Sequence, residues 1–217
     1  MVNRIYRLLE VPSIYRLANA VLAPGWSHLI GPLYQRVFGH STGRVLDVGC
    51  GPGLKTPRPK GLLVGIDVNS SYIKDFTGGF LDQDAGLVCR PPAGRECLGY
   101  VASADQLPFP EDSFDEARTS LVFHHLPRVV AVRAVQEMVR CVRKGGRVIL
   151  LDLVWPRKAW ARPLAWLTLS LDRGRFMRSQ EELLALTQEA CPGSWNWERC
   201  TGTYTGMEYL CLQMEKK

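Results

Sequence analysis

Arg44-Val45-Leu46-Asp47-Val48-Gly49-Cys50-Gly51-Pro52-Gly53 decides how this chain is read. Val45, Leu46 and Val48 suit a strand covered on both faces, as in a parallel sheet. The strand runs into three glycines at alternate positions, where the backbone can turn sharply and approach a ligand that any Cβ would meet. A second apolar run, Leu62-Leu63-Val64-Gly65-Ile66, closes on Asp67, eighteen residues after Gly49. An acid at the tip of the second strand is placed to accept hydrogen bonds from a ribose diol. Strand, glycine loop and acid together predict a site for an adenosine-type ligand.

The loop also discriminates between such ligands. A dinucleotide fingerprint reads G-x-G-x-x-G and sets a helix N-terminus against the pyrophosphate. Here the spacing is G-x-G-x-G, and the segment from Leu54 to Gly61 carries Pro57 and Pro59, leaving room for barely one helical turn. So weak a helix makes a poor anion site, which disfavours a dinucleotide-dependent oxidoreductase.

Further along, a third candidate strand, Leu98 to Ala102, is followed by Ser103-Ala104-Asp105-Gln106-Leu107-Pro108-Phe109. Then come Ser113-Phe114-Asp115 through Ser120-Leu121-Val122-Phe123-His124-His125-Leu126-Pro127, a helix from Val129 to Val142, and Lys144-Gly145-Gly146 leading into Val148 to Asp152. In this order the motifs resemble the class I S-adenosylmethionine-dependent methyltransferases, specifically the small-molecule type 11 branch. The resemblance covers about residues 42 to 155 and rests on four ordered motifs.

That resemblance implies a Rossmann-like α/β fold: a seven-stranded, mostly parallel sheet with an antiparallel C-terminal strand and a helical N-terminal cap. It implies S-adenosyl-L-methionine as cofactor. Asp47 and the backbone of Gly49, Cys50, Gly51 and Gly53 would flank its methionine part. Asp67 would take the ribose hydroxyls, with Val68 against the adenine. Asp105 would accept from the adenine amino group, with Gln106 and Leu107 beside the ring. Ser120, Leu121 and the residues up to Phe123 would line the sulfonium. Two departures stand out. The broken first helix leaves the cofactor's carboxylate to other donors, such as Lys55 or an N-terminal tyrosine (Tyr6, Tyr15 or Tyr34). The long span from Asp67 to Asp105, with Gly78-Gly79, Pro91-Pro92 and Gly94, predicts an inserted loop within residues 76–97.

At 217 residues and 46% hydrophobic content the chain suits one compact domain. Within it, residues 1–43 read as the N-terminal cap, 44–155 as the cofactor-binding core, 156–178 as a substrate-side lid and 179–217 as a C-terminal helix and hairpin. Apolar runs are too short or interrupted to span a bilayer, and the N-terminus lacks the pattern of an export signal, so a cytoplasmic location is expected. Seven cysteines with no C-x-x-C pair indicate neither a disulfide framework nor a zinc site, and no metal is expected.

The formal charge of +6 is unevenly placed. Residues 1–43 carry net +3 and residues 155–178 net +5, leaving about −2 on the rest of the chain. The later segment interleaves Trp155, Trp160 and Trp166 with Arg157, Lys158, Arg162, Arg173, Arg175 and Arg178, and Pro163 suits the first turn of a helix. Three readings fit it: a lid over a hydrophobic, acidic small molecule, a peripheral contact with an anionic membrane, or ordinary core packing with solvated arginines.

The predicted chemistry is in-line methyl transfer to O, N or C of a small-molecule acceptor, in which orientation supplies much of the acceleration. Where the acceptor must lose a proton, His124 and His125 are the candidate catalytic bases at the ligand edge of the fourth motif strand; each could instead cap, pack or face solvent. Asp152 could orient an acceptor or bind a nearby arginine. Nucleic acid is not an expected partner, since no base-holding Asn/Asp-Pro-Pro-Tyr/Phe motif follows that strand. A non-catalytic or membrane-associated subunit that keeps the fold is the alternative. C-terminally, Ser179 should cap a helix over Gln180 to Ala190, followed by strands over Trp195–Thr201 and Tyr204–Met214.

Overall fold

The computed structural model describes residues 26–53, 57–78, 80–82, 88–90, 97–171, 175–201 and 206–217. The N-terminal tyrosines Tyr6 and Tyr15, Lys55 and residues 172–174 lie outside them. In chain order the elements are α1 (Trp26–Phe38), β1 (Thr42–Val48), β2 (Lys60–Asp67), α2 (Ser70–Thr77), β3 (Phe80–Asp82), β4 (Val88–Arg90), β5 (Cys97–Val101) and β6 (Phe114–Ser120). A 3-10 turn (Phe123–His125), α3 (Arg128–Cys141), β7 (Val142–Val154), α4 (Pro163–Leu171), α5 (Gln180–Ala190), β8 (Asn196–Thr201) and β9 (Glu208–Glu215) complete them.

One sheet runs through the described residues in the order β3-β4-β5-β2-β1-β6-β7-β9-β8. Strands β5, β2, β1, β6 and β7 are parallel, and β9 inserts antiparallel between β7 and β8. These are the seven expected strands. The antiparallel β3–β4 pair is an addition at the β5 edge, so the segment read as an inserted loop carries strands of its own.

Both sheet faces are covered, which is why β2 and the latter half of β7 are nearly continuous apolar runs. On one face Leu46, Val48, Val64, Ala117, Val148 and Leu150 pack with Ala131, Val135 and Met138 of α3 and Leu183 and Leu186 of α5. On the other, Ile149, Leu151, Tyr209 and Cys211 meet Leu33, Tyr34, Val37 and Phe38 of α1 and Ala165 and Leu169 of α4. Tyr34 is 3% exposed and edge-on to Phe38, so it is a core aromatic. Beside it, Val45, Leu63 and Cys97 meet Ile73 and Phe76 of α2.

The helix ends follow local chemistry. The Asn69 side chain accepts from the Ser71 and Tyr72 amides, and Gly78 ends α2 in the left-handed region at φ 63°. Ser179 and Glu182 form a reciprocal capping box on α5. No helix among the described residues is long and apolar enough to cross a membrane.

Candidate active site at the carboxyl ends of the strands

In an open parallel sheet, ligands bind outside the carboxyl ends of the strands, where the strand order reverses. Here that point lies between β1 and β6, and the sequence-predicted residues gather around it. The Gly49 and Cys50 amides both donate to the Ile66 carbonyl, at 2.8 and 2.9 Å, fastening the glycine loop to the end of β2. Asp67 completes the connection: one carboxylate oxygen accepts from the Gly51 amide at 3.1 Å and the other from the Asn69 amide at 2.8 Å. One carboxylate thus ties the loop to the start of α2.

The glycines serve different ends. A Cβ at Gly49 would lie 2.4 Å from Val122 and one at Gly53 2.7 Å from Phe76, whereas at Gly51 it would meet nothing within 4 Å. Gly49 and Gly53 are therefore crowded by the protein, while Gly51 (φ +53°) borders open space on the ligand side. Burial holds the Asp67 carboxyl above the usual Asp range, opposed by the amides of Asn69, Gly51 and Val68. Burial likewise pushes the Cys50 thiol well up, with help from the Asp47 and Asp67 charges, so Cys50 is an inert packing group.

Val68 is 73% exposed at the strand tip, an apolar surface where the adenine was expected. Next to it the Ala102 amide donates to the Asp67 carbonyl, bringing the Asp105 segment to the same edge. Asp105 accepts from the Ser103 hydroxyl, Gln106 is exposed and Leu107 is buried. This segment has an anchor that sequence reasoning missed. Glu137 on α3 accepts from the Leu107 amide at 2.8 Å and pairs with Arg140 at 2.7 Å. Arg140 in turn donates to the Phe109 and Leu107 carbonyls at 2.8 and 3.2 Å.

At the end of β6, Ser120 and Leu121 are half-buried, and Leu121 takes a left-handed φ of 58° that a leucine rarely adopts. Just beyond, the two histidines part company. His125 is exposed; His124 is buried, with Nδ1 2.5 Å from an Asp152 carboxylate oxygen. The other Asp152 oxygen accepts from the His124 amide at 2.9 Å. Arg178 braces this turn by donating to the Phe123 and Leu126 carbonyls at 2.6 and 2.7 Å. Asp152 thus holds a histidine, with the arginine gripping the turn beside it.

Asp47, 1% exposed, faces Arg118 across the β1–β6 pair at 3.5 Å. Arg118 is fully buried; it donates to the Pro57 carbonyl at 2.8 Å and its guanidinium lies over the Phe38 ring. No sequence argument singled it out, although a charge inside a buried strand, in register with Asp47, was a visible signal.

The basic segment is partly engaged internally. Arg162 and Arg199 pair with buried Glu208, Arg157 donates to Gln180, and Arg178 grips the 3-10 turn. Trp160, Leu164, Trp166 and Leu167 are exposed. Among the described residues no group of His, Cys, Asp and Glu could hold a metal ion.

Residues 46–150 match the methyltransferase-domain family. The chain is 32% identical over 131 residues to a demethylmenaquinone methyltransferase of Roseiflexus castenholzii, aligning 58% of this chain with 49% of that protein. The chain spans about half the length of the first such relatives. Among solved structures, geranyl diphosphate methyltransferase in complex with S-adenosylmethionine superposes with a TM-score of 0.63 at 12% identity, over 86% of this chain and 85% of that one. The [4+2]-cyclase SpnF superposes at 0.62 with 19% identity, over 86% of this chain and 79% of that one, so the fold alone does not name a reaction.

Proposed function

We propose that this chain, whose residues 46–150 match the methyltransferase-domain family, is a class I methyltransferase that transfers the methyl group of S-adenosylmethionine to a hydrophobic small-molecule acceptor. One observation carries the reading: Asp67 fastens Gly51 beside an exposed Val68, with the Asp105 segment hydrogen-bonded to the same strand end. The residues present fit the cofactor. Gly51 opens onto space a ligand can fill, Asp67 and Asp105 are acceptors suited to ribose and adenine amino donors, and Val68 and Leu107 are apolar.

When bound, S-adenosylmethionine supplies an electrophilic methyl group on a sulfonium. The chain's part is to orient and to move a proton. Asp152 fixes the His124 ring and favours the tautomer with its proton on Nδ1, which makes Nε2 the basic nitrogen. His124 then removes a proton from an acceptor hydroxyl, N–H or acidic C–H as the new bond to that oxygen, nitrogen or carbon forms. The exposed apolar side chains of α4 and the preceding turn, and Phe176, whose amide donates to the His124 carbonyl, favour an apolar acceptor. With Arg162 and Arg178 held internally, these groups suit an acceptor better than an anionic membrane surface. The relative that acts in menaquinone methylation points to quinone-like acceptors.

The test is calorimetric titration with S-adenosylmethionine, S-adenosylhomocysteine and NADH, followed by a radiomethyl assay over hydroquinones, phenols and apolar acids. Micromolar binding of the two adenosyl sulfur ligands and labelled product from an apolar acceptor are expected. Asp152→Ala should lower turnover while leaving S-adenosylhomocysteine affinity in place. Binding of NADH alone, or binding of none of the three, would overturn the reading.

A further inference from the structure

Arg118 is a fully buried cation in the middle of β6. Such a group is expensive to desolvate and is retained where its donors are matched. Asp47 lies at the long distance of 3.5 Å, and only the Pro57 carbonyl, at 2.8 Å, makes a short hydrogen bond. Nε and Nη1 are buried with no hydrogen-bond partner among the described residues. A guanidinium has five N–H donors, so the described residues leave part of its donor capacity unmatched.

The position of the surplus is specific. Asp47 and Arg118 are register partners in adjacent strands, their side chains on one sheet face, and Asp47 stands two residues before Gly49. The chain returns from Gly53 to β2 at Lys60, with residues 57–59 irregular and the Pro57 carbonyl resting on the guanidinium. A long first helix over this face would have offered its amide ends to an anion. Here an arginine stands in that region instead, steadied by the Phe38 ring.

We propose that the Asp47–Arg118 pair is a receptor for the zwitterionic amino-acid end of the cofactor, with Asp47 facing the ammonium and Arg118 taking the carboxylate. The proposal rests on the cofactor assignment above. A neutral, oppositely charged pair is complementary to a ligand end that is itself neutral and oppositely charged, so binding leaves no net charge buried. The carboxylate satisfies donors that the described residues leave unmatched, and it reaches them by displacing part of their cover, of which the Pro57 carbonyl contact is one element.

The experiment compares S-adenosylmethionine with decarboxylated S-adenosylmethionine, which keeps the sulfonium, ribose, adenine and amine and lacks only the carboxylate. Wild-type protein should bind the intact ligand about 10- to 100-fold more tightly, the ratio for one charged hydrogen-bonded contact. In Arg118→Met the intact ligand should fall to the level of the decarboxylated one, whose own affinity stays within about threefold. Equal weakening of both ligands in the variant, or no discrimination by the wild type, overturns the proposal. Binding of neither ligand to the wild type sinks the cofactor assignment instead. Because Arg118→Met removes the buried cation that faces Asp47, circular dichroism checks the fold. Should that variant not fold, Arg118→Lys, which keeps the charge, decides the matter together with the wild-type ratio. It must lose at least part of that ratio, and an undiminished ratio counts against Arg118.

Discussion

Glu137→Ala is the perturbation whose outcome follows most directly from the geometry, because one carboxylate holds the Asp105–Leu107 segment to α3. It accepts from the Leu107 amide at 2.8 Å and from Arg140 through both oxygens. Losing the charged hydrogen bond to a partly buried amide costs about 1.5–3 kcal/mol. The ion pair, with 29% and 21% of the side chains exposed, adds about 0.2–1 kcal/mol. Arg140 still holds the Phe109 and Leu107 carbonyls, so the expected loss is about 2–3 kcal/mol, or roughly 4–12 °C in Tm for a domain of this size. Freeing even one residue of the Asp105–Leu107 segment adds about 1–2 kcal/mol of ordering to ligand binding, roughly 5- to 30-fold in Kd. The assay is differential scanning calorimetry paired with titration of S-adenosylhomocysteine. A pH control follows from the same contacts. The Arg140 side chain and the Leu107 amide hold the Glu137 carboxyl below its usual range. A folded-state pKa below the unfolded one gives stability that is present above the unfolded value and lost as pH falls through the depressed folded value. Wild type and variant should therefore converge in stability under acid conditions. Unchanged Tm and unchanged Kd in Glu137→Ala, or a stability gap that persists through the acid limb, would refute the anchoring argument.

Two further outcomes test other parts of the site. Gly65→Ala puts a Cβ 2.5 Å from Phe76 and 2.8 Å from the Cys50 sulfur, so it should cost about 1–3 kcal/mol in thermal unfolding, and Phe76→Leu should recover part of that loss in the double variant. No recovery would mean the strain is absorbed elsewhere. For Asp67, burial raises the pKa above the ordinary Asp value, so S-adenosylhomocysteine affinity should be full above that raised pKa and fall as acid titrates through it, at a higher pH than an unperturbed Asp would show. The linked stability contribution has the opposite sign, present at low pH and lost as pH rises through the folded pKa. A flat affinity profile between neutrality and about pH 4 would remove Asp67 from the ligand contact.

What was legible in the sequence was what the chain encodes locally. The Gln180–Ala190 helix was readable to its ends because Ser179 and Glu182 sit in a capping-box spacing. β1, β2, β5 and β7 were readable because burial on both faces leaves apolar runs that glycine, aspartate and proline punctuate, whereas β6, with Asp115, Glu116 and Arg118, was readable only from its place in the motif order. α2 was overlooked although Asn69 and Gly78 mark both ends, because its eight residues hold too few apolar positions for a clear period. The β3–β4 pair was hidden for a related reason: three-residue strands have almost no period to detect.

Site residues divided along the same line. The glycine loop, Asp67 and the Asp105 segment were found because each is a short local pattern. The partners that fix them were not: Leu107 meets Glu137 across 30 residues, His124 meets Asp152 across 28, and Asp47 meets Arg118 across 71. Such pairings exist only once the strand order is known. Given that order, Arg118 becomes readable, since parallel pairing of the first and fourth motif strands puts two opposite charges in register inside a doubly covered sheet. A charge in that position costs too much to be incidental. The same logic applies to the basic segment 155–178, whose composition fitted a lid, an anionic membrane contact or core packing with solvated arginines. Glu208, Gln180 and the carbonyls of the 3-10 turn engage Arg162, Arg157 and Arg178 within the fold. Charge counted along a chain describes partners only after the internal pairs have been removed.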